Sequence, residues 1–245
     1  PQIYATQNRA LTANDFEILI PNKIYPEAES ISVYGGEDLI PPQYGKVFIS
    51  IKPRNGDFIP NTIKENIKRD LRKYSVAGII PEILDLKYLY VEAESKIYYN
   101  PSLASNANEL ATKIQNNITK YADSSELNRY GARFKYSQFL RLIDQTHAAI
   151  TSNITTIEIR RDLRLALDQF AEYAIDFVNY EKGRVTLNPI NIIAGKTKDS
   201  QQILEISACP LSNDVIGLQD LYLQLDRTSV EMVVDQISSG SSPSG

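Results

Sequence analysis

The chain has 245 residues, and its 26 Lys and Arg against 30 Asp and Glu give a formal net charge of −4. A mildly acidic chain lacks the basic excess that binding nucleic acid by bulk electrostatics requires. Cys209 is the only cysteine and His147 the only histidine, which excludes an intrachain disulfide and any site built from two histidines. No apolar run approaches the roughly 20 residues of a membrane span. The composition predicts a soluble globular protein without a metal centre.

The first elements along the chain are a helix and two strands. Thr12 is placed as an N-cap, with Asp15 as its acidic complement, and Pro21 ends this helix early. Residues 30–34 alternate between polar and apolar side chains, and residues 44–52 do the same. Both segments are therefore predicted to be strands.

A helix with a clear apolar face follows. Thr62 and Glu65 have capping-box spacing, and the apolar side chains then recur every three or four residues, at Ile63, Ile67, Leu71 and Tyr74. Residues 83–99 come next as a long strand whose faces exchange character partway along. That exchange predicts either a bulge or a strand that leaves one neighbour and joins another.

Two more helices and a strand complete the first part of the chain. Asn106 and Glu109 open a helix whose apolar face comprises Leu110, Ile114, Ile118 and Tyr121. A helix over about 137–149 buries Phe139, Leu142 and Ile143, and residues 154–163 form a strand. The order α-β-β-α-β-α-α-β predicts an α+β fold, a mixed or antiparallel sheet with helices packed on one face.

The sequence shows little sustained helical periodicity beyond about residue 165. Residues 167–177 are ambiguous and compatible with a short helix, whereas Lys182-Gly183 marks a turn and Asn188-Pro189 stops the strand that precedes it. Further strands are predicted over 203–208, 221–226 and 230–237. We therefore expect an α+β domain over 1–164, a smaller β-rich subdomain over 165–237 and a flexible Ser/Gly tail over 238–245.

One segment has the composition of a catalytic signature. Gly35-Gly36-Glu37-Asp38 resembles the Gly-Gly-acid-acid turn of diguanylate cyclases, but Leu39 stands where that turn has an aromatic residue. A nucleotide-acting enzyme is one alternative function on this basis. The other interpretation is a tight turn whose glycines have positive φ and whose acids face solvent, and short motifs favour it.

The basic clusters raise a second alternative, a nucleic-acid-binding module. Lys64, Lys68, Arg69, Arg72 and Lys73 form one cluster, and Arg160, Arg161 and Arg164 form another. Acidic residues interrupt both, so solvated helix faces or salt bridges to a protein partner are the favoured interpretation. His147 near a helix end suits capping better than catalysis, and Cys209 is predicted to be a small buried thiol. We predict no catalytic residues, no metal site and no cofactor.

The strongest signal is a resemblance carried by several blocks in order. They are residues 9–16 (RALTANDF), 33–38 (VYGGED), 41–53 (PPQYGKVFISIKP), 130–134 (YGARF), 150–155 (ITSNIT) and 214–223 (DVIGLQDLYL). In this order they resemble the baseplate wedge subunits of T4-type contractile-tailed phages, within the wider baseplate J-like group. The similarity spans nearly the whole chain, and this chain resembles the C-terminal part of a longer subunit.

The resemblance implies a structural role in the virion. Such subunits form dimers that link neighbouring wedges into the inner ring of the tail baseplate, after assembly in the host cytoplasm. The partners implied are a second copy of the chain and other wedge proteins, with no nucleic acid, membrane or small-molecule substrate. The family brings no catalytic residue to this sequence.

One strand is a candidate for self-association. Leu221, Leu223 and Leu225 lie on one side of the predicted strand and Tyr222 on the other. This is more apolar surface than a small subdomain covers easily, so these four residues are a candidate interface. Packing of all four inside the protein is an equal alternative.

Overall fold

The computed structural model describes residues 10, 12–39, 41–104, 106–177, 184–198, 201–226 and 229–235. Two units divide the chain. Unit 1 comprises residues 1–87, 129–131 and 217–222, and unit 2 comprises residues 88–128, 132–216 and 223–245. Unit 1 is therefore assembled from three separate stretches of sequence.

The first helix of unit 1 begins as the sequence predicts. Helix α1 (Ala13–Leu19) has a capping box, since the Thr12 hydroxyl accepts from the Asp15 N–H at 3.3 Å and the Asp15 carboxylate accepts from the Thr12 N–H at 2.8 Å. A π-helical turn (Ile20–Ile24) replaces further α-helix at Pro21, because proline has no N–H to donate.

A three-stranded sheet forms the body of unit 1. Strands β1 (Ala28–Gly35) and β2 (Lys46–Pro53) are antiparallel, and β3 (Ile80–Leu84) runs parallel to β2 after the crossover helix α2 (Asn61–Arg72). The core brings together side chains from all of these elements; Phe16, Ile20, Ile49, Ile67 and Leu71 are almost completely buried.

The predicted capping box at Thr62 is wrong. Helix α2 starts at Asn61, Pro60 occupies the N-cap position, and the Pro60 carbonyl accepts from the N–H groups of Ile63 and Lys64. Thr62 therefore lies inside the first turn. Ile63 is 36% exposed and does not belong to the buried face that Ile67 and Leu71 form.

The long strand predicted over 83–99 is two strands in different sheets. Strand β3 pairs with β2 in unit 1, and β4 (Lys87–Tyr99) pairs with β6 (Ile150–Arg164) in unit 2. The predicted change of neighbour is confirmed, and the chain passes from unit 1 to unit 2 at the same place.

A six-stranded sheet is the centre of the remaining fold. Besides β4 and β6 it contains β9 (Lys196–Lys198), β10 (Gln201–Ala208), β12 (Leu221–Leu225) and β13 (Ser229–Val234). The strands are ordered β12-β4-β6-β10-β9, with β13 beside β4. The pairs β4–β6, β6–β10 and β9–β10 are antiparallel and β13–β4 is parallel, so the sheet is mixed.

Two helices pack with this sheet. Helix α3 (Ala107–Ala122) begins at Asn106, whose side chain accepts from two backbone N–H groups, and its predicted apolar face is buried. Helix α4 (Tyr136–Asp144) packs on β6 and buries Phe139 and Ile143, but it ends five residues earlier than predicted. None of the described helices has the length and apolar character needed to cross a membrane.

The segment over 167–177 is a strand, not the short helix that the sequence allows. Strand β7 (Phe170–Asp176) pairs antiparallel with β8 (Arg184–Asn191). Strand β8 continues through Asn188-Pro189 instead of stopping there, which proline permits on a strand with a free edge. Two very short strands, β5 (Arg133–Phe134) and β11 (Val215–Ile216), also pair.

The predicted α+β class is confirmed, with mixed and antiparallel sheets and four α-helices in the described part of the chain. The boundary predicted near residue 165 lies inside unit 2, and a separate β-rich subdomain stays a prediction. The turn at Lys182-Gly183 and the tail over 238–245 lie outside the described residues.

Candidate functional site

Three exposed apolar residues lie at one end of the β7–β8 ribbon. Phe170 and Ile193 are each 77% exposed, and Ile190 is 37% exposed. Phe170 pairs with Asn191, and the N–H of Asp168 donates to the carbonyl of Ile192 at 3.1 Å. These pairings place the three apolar residues at the same end of the ribbon, with Phe170 and Ile190 on opposite faces, because Ile190 pairs with Ala171. We call Phe170, Ile190 and Ile193 the ribbon-end cluster.

The ribbon is anchored along its length. Tyr173 and Ile175 are buried, and the Tyr173 hydroxyl donates to the Ala166 carbonyl at 3.2 Å and accepts from the Ala166 N–H at 3.0 Å. The Arg161 guanidinium donates to the carbonyl of Asp176. The ribbon-end cluster therefore lies on an ordered element, and solvation of its apolar area is costly.

The four residues proposed as an interface from the sequence are buried within the chain. Leu221, Tyr222, Leu223 and Leu225 have exposures of 2%, 1%, 1% and 6%. This burial favours the alternative in which they pack inside the protein. A self-association role for them stays a prediction.

Arg160 lies at the centre of an ion network in unit 2. Its guanidinium contacts Asp162 at 3.1 Å, Asp226 at 2.9 Å and the carboxylate of Glu92. Only 11% of the Arg160 side chain is exposed. Burial lowers the pKa of Arg160, but the three carboxylates outweigh that effect and raise it above its ordinary value.

Lys198 and Tyr90 extend this network. The Lys198 ammonium contacts Asp162 at 2.6 Å and donates to the Tyr90 hydroxyl at 2.8 Å. The Tyr90 ring carries both cations, with the Arg160 guanidinium 4.4 Å and the Lys198 ammonium 4.3 Å from its centroid. The basic cluster predicted around Arg160 is therefore neutralised inside the chain and offers no open phosphate site at this residue.

The basic face of α2 is likewise paired with acids of unit 1. Lys64 contacts Asp85, Lys68 contacts Glu82 at 2.7 Å, and Lys73 contacts Asp70 at 2.7 Å. These three lysines thus form salt bridges with acids of the same chain, not with the protein partner that the sequence interpretation names.

The Gly35–Asp38 segment is a turn, as its second interpretation predicts, but for a different reason. Neither glycine has a positive φ, so that prediction is wrong. A Cβ on Gly36 would lie 2.0 Å from the Gln43 carbonyl oxygen, whereas one on Gly35 would meet only the Glu37 carboxylate. Glu37 and Asp38 are exposed, as expected. Gly36 is thus required by a close backbone approach.

The remaining candidate residues do not assemble into a chemical site. His147 lies three residues beyond the end of α4, where its Nδ1 accepts from the Ala149 N–H at 3.1 Å. Cys209 is exposed, so its predicted burial is wrong. Among the described residues, no group of three or more His, Cys, Asp and Glu side chains is arranged to hold a metal ion.

Sequence reasoning missed the ribbon-end cluster. The available signal was the density of apolar residues after Asn188-Pro189, namely Ile190, Ile192 and Ile193. It was unused because the strand was expected to stop at the proline.

Comparisons with known proteins agree with the fold. Two family models match the chain: baseplate structural protein gp6, C-terminal domain I, over residues 12–84, and C-terminal domain III of the same protein over residues 87–162. Together they span more than half of the chain. The junction between them coincides with the passage from unit 1 to unit 2.

Two relatives extend the comparison. Baseplate wedge protein gp6 of Enterobacteria phage T4 is 24% identical over 160 residues, which are 65% of this chain and 24% of that protein. The chain thus spans about a quarter of the length of this relative. A cryo-EM structure of the anti-feeding prophage baseplate aligns with a TM-score of 0.51 and 15% identity, covering 92% of this chain and 39% of the other. That likeness concerns the fold.

These findings define the class of the chain, a structural protein of a phage tail baseplate in the virion. More narrowly, the chain belongs to the gp6 family of baseplate structural proteins and corresponds to part of the family's C-terminal region. The resemblance predicted from the sequence blocks is confirmed.

Proposed function

We propose that the chain self-associates and links neighbouring wedges into the inner ring of the baseplate, acting as a structural component without catalytic activity. The observation that supports this most directly is the ribbon-end cluster, which is apolar, exposed and held on an anchored ribbon. Partner proteins bury such surfaces, because apolar area removed from water stabilises an assembly.

The distribution of charge supports an apolar contact. Arg160 and Lys198 are paired within unit 2, and Lys64 and Lys68 are paired within unit 1. These four cations already contact carboxylates of the same chain. Exposed apolar side chains such as Phe170 are then the stronger candidates for anchors, since aromatic residues carry much of the binding energy at interfaces.

The proposal predicts that one pair of substitutions weakens self-association. Phe170→Asp combined with Ile193→Asp should raise the dissociation constant by at least about tenfold, because two charges would be desolvated in the contact. Analytical ultracentrifugation over a concentration series measures this constant. The matched control is Leu211→Asp, since Leu211 is fully exposed in a loop outside the ribbon and should leave association unchanged.

Two results would contradict the proposal. If the wild-type chain stays monomeric at every concentration, this part of the protein does not self-associate. A double variant that associates like the wild type, with an unchanged circular dichroism spectrum, would exclude the ribbon end as the contact.

The strand over 221–225 is tested separately. Leu223→Asp and Tyr222→Asp are expected to unfold the protein, because each places a charge in a buried position. If either variant kept its fold and lost self-association, the strand proposed from the sequence would be the contact instead.

A further inference from the structure

Two remote segments complete unit 1. Residues 129–131 and 217–222 belong to this unit, although the chain on either side of residues 129–131, and next to residues 217–222, lies in unit 2. Both segments overlap the sequence blocks that carry the family resemblance, at 130–134 and 214–223. Their contribution to unit 1 is unrelated to the exposed ribbon.

The two segments adjoin a pair of strands that lie side by side. Residues 129–131 come just before β5, and residues 217–222 directly follow β11. Strand β5 pairs antiparallel with β11, with Phe134 opposite Val215, and the Tyr136 N–H donates to the Asp214 carboxylate at 2.9 Å. The segments are therefore close to each other at the ends that adjoin these strands.

Each segment contains a tyrosine, and these two tyrosines contact each other. The rings of Tyr130 and Tyr222 meet edge to face, with centroids 5.2 Å apart and an interplanar angle of 82°. Gly131 follows with a φ of +69°, a conformation that glycine adopts at little cost, and it turns the chain back immediately after Tyr130. A three-residue excursion is thus enough to place the Tyr130 ring.

These tyrosines pack with the β1–β2 sheet. The Tyr130 N–H donates to the Ser30 hydroxyl at 3.0 Å, and the Tyr130 hydroxyl lies beside the hydroxyl of Ser50. Ser30 lies on β1 and Ser50 on β2. Tyr34 and Phe48, which face each other across the same two strands, stack at 5.8 Å.

Tyr34, Phe48 and Tyr222 are buried, whereas Tyr130 is partly exposed. Tyr222 and Ser50 are each 1% exposed. Burial raises the pKa of Tyr130 above its ordinary value, although the Ser50 hydroxyl lowers it, and burial and the nearby Glu29 raise the pKa of Tyr222. Burial together with Asp220 raises the pKa of Tyr34 to about 12.

We propose that residues 129–131 and 217–222 form an aromatic clasp, in which Tyr130 and Tyr222 hold the β1–β2 sheet closed. Val33, Ile49 and Ile51 share the core with α1 and α2, whereas Tyr34, Phe48 and Ser50 lie at alternate positions and so belong to the other face of the sheet, the face that the clasp covers. A fully buried aromatic side chain supplies about 150–250 Å² of buried surface; Tyr222 is fully buried and Tyr130 partly. Opening of this sheet then requires release of the clasp, while unit 2 keeps its own core.

Hydrogen exchange of the full chain, read by mass spectrometry under native conditions, tests the clasp. In Tyr130→Ala and in Tyr222→Ala, amides of β1 and β2 should exchange at least about tenfold faster, while those of β4 and β6 change by less than about twofold. The matched control is Tyr121→Ala, because Tyr121 is a tyrosine of α3 in unit 2 that is 7% exposed. It should accelerate exchange in α3 and leave β1 and β2 unchanged.

The clasp also predicts that Tyr130 and Tyr222 depend on each other. In the double variant, the acceleration at β1 and β2 should be clearly smaller than the product of the two single effects, because each ring loses its partner when the other is removed. If Tyr222→Ala does not fold, Tyr222→Leu keeps most of the apolar volume and should give a smaller acceleration in the same strands.

Unchanged exchange at β1 and β2 in both single variants would overturn the clasp. So would equal acceleration in β1, β2, β4 and β6, since the tyrosines would then support the chain as a whole. Effects that multiply in the double variant would show two independent contacts and would also contradict the proposal.

Discussion

Gly36 shows how a single residue can be essential for a reason that the sequence does not display. Two adjacent glycines suggest positive φ. The structure requires Gly36 because the backbone of Gln43 passes against it and the Gln43 N–H donates to the Gly36 carbonyl at 2.7 Å. A contact between positions seven residues apart has no local pattern, so it could not be read in advance.

The neighbouring glycines give a matched pair of substitutions. Gly36→Ala should lower the free energy of unfolding by about 1–3 kcal/mol, because the added methyl group would collide with the Gln43 carbonyl. Gly35→Ala should change it by less than about 0.5 kcal/mol, since the exposed Glu37 side chain can move away. Urea denaturation followed by circular dichroism measures both. Equal losses would mean that the close approach does not explain the glycine.

Helices whose signals are local were predicted well at the scale of single elements. The buried face of α3 was identified residue by residue, because Leu110, Ile114, Ile118 and Tyr121 follow the helical period. Strand β7 was missed because residues 167–177 fit two patterns. Its conformation is decided by pairing with β8, which is distant information.

Helix starts provide a prediction at this scale, because one proposed cap exists and the other does not. Thr12→Ala should cost about 1 kcal/mol of stability, since it removes the acceptor for the Asp15 N–H. Thr62→Ala should stay within about 0.5 kcal/mol, because Thr62 lies inside the first turn of α2 and caps nothing there. Urea denaturation measures both changes in the free energy of unfolding, each as the shift in the urea midpoint multiplied by a common m-value. A larger loss at Thr62 than at Thr12 would contradict the assignment of the caps.

The organisation of the whole molecule was the least predictable feature. A change of texture near residue 165 was visible in the sequence, yet the chain divides at residue 87 and returns to unit 1 at 129–131 and 217–222. The ribbon-end cluster has the same origin, because only the β7–β8 register brings Phe170 to the same end of the ribbon as Ile190 and Ile193. Pairing between segments that are distant in the sequence decides both features, and local hydrophobic periodicity does not reveal such pairing. Blocks of family resemblance spread over the chain were the one global signal.

Long-range pairing also explains why Arg160 should matter more to stability than other cations do. Its network joins Glu92 on β4 and Asp162 on β6 with Asp226 just after β12. Glu92 and Asp226 are 134 positions apart in the sequence. Removing the guanidinium would take this cation away from the partly buried carboxylates of Glu92 and Asp226, while Asp162 keeps its contact with Lys198. Such uncompensated groups cost far more than a lost surface pair.

We therefore expect Arg160→Met to lower the free energy of unfolding by about 3 kcal/mol or more, although methionine keeps much of the apolar stem. The control is Lys73→Met, because the Lys73 side chain is 68% exposed and its pair with Asp70 should contribute less than about 1 kcal/mol. Urea denaturation at neutral pH separates the two values. A loss at Arg160 no larger than that at Lys73 would mean that the carboxylates are solvated well enough without it, and that the strands of unit 2 are held together by apolar packing alone.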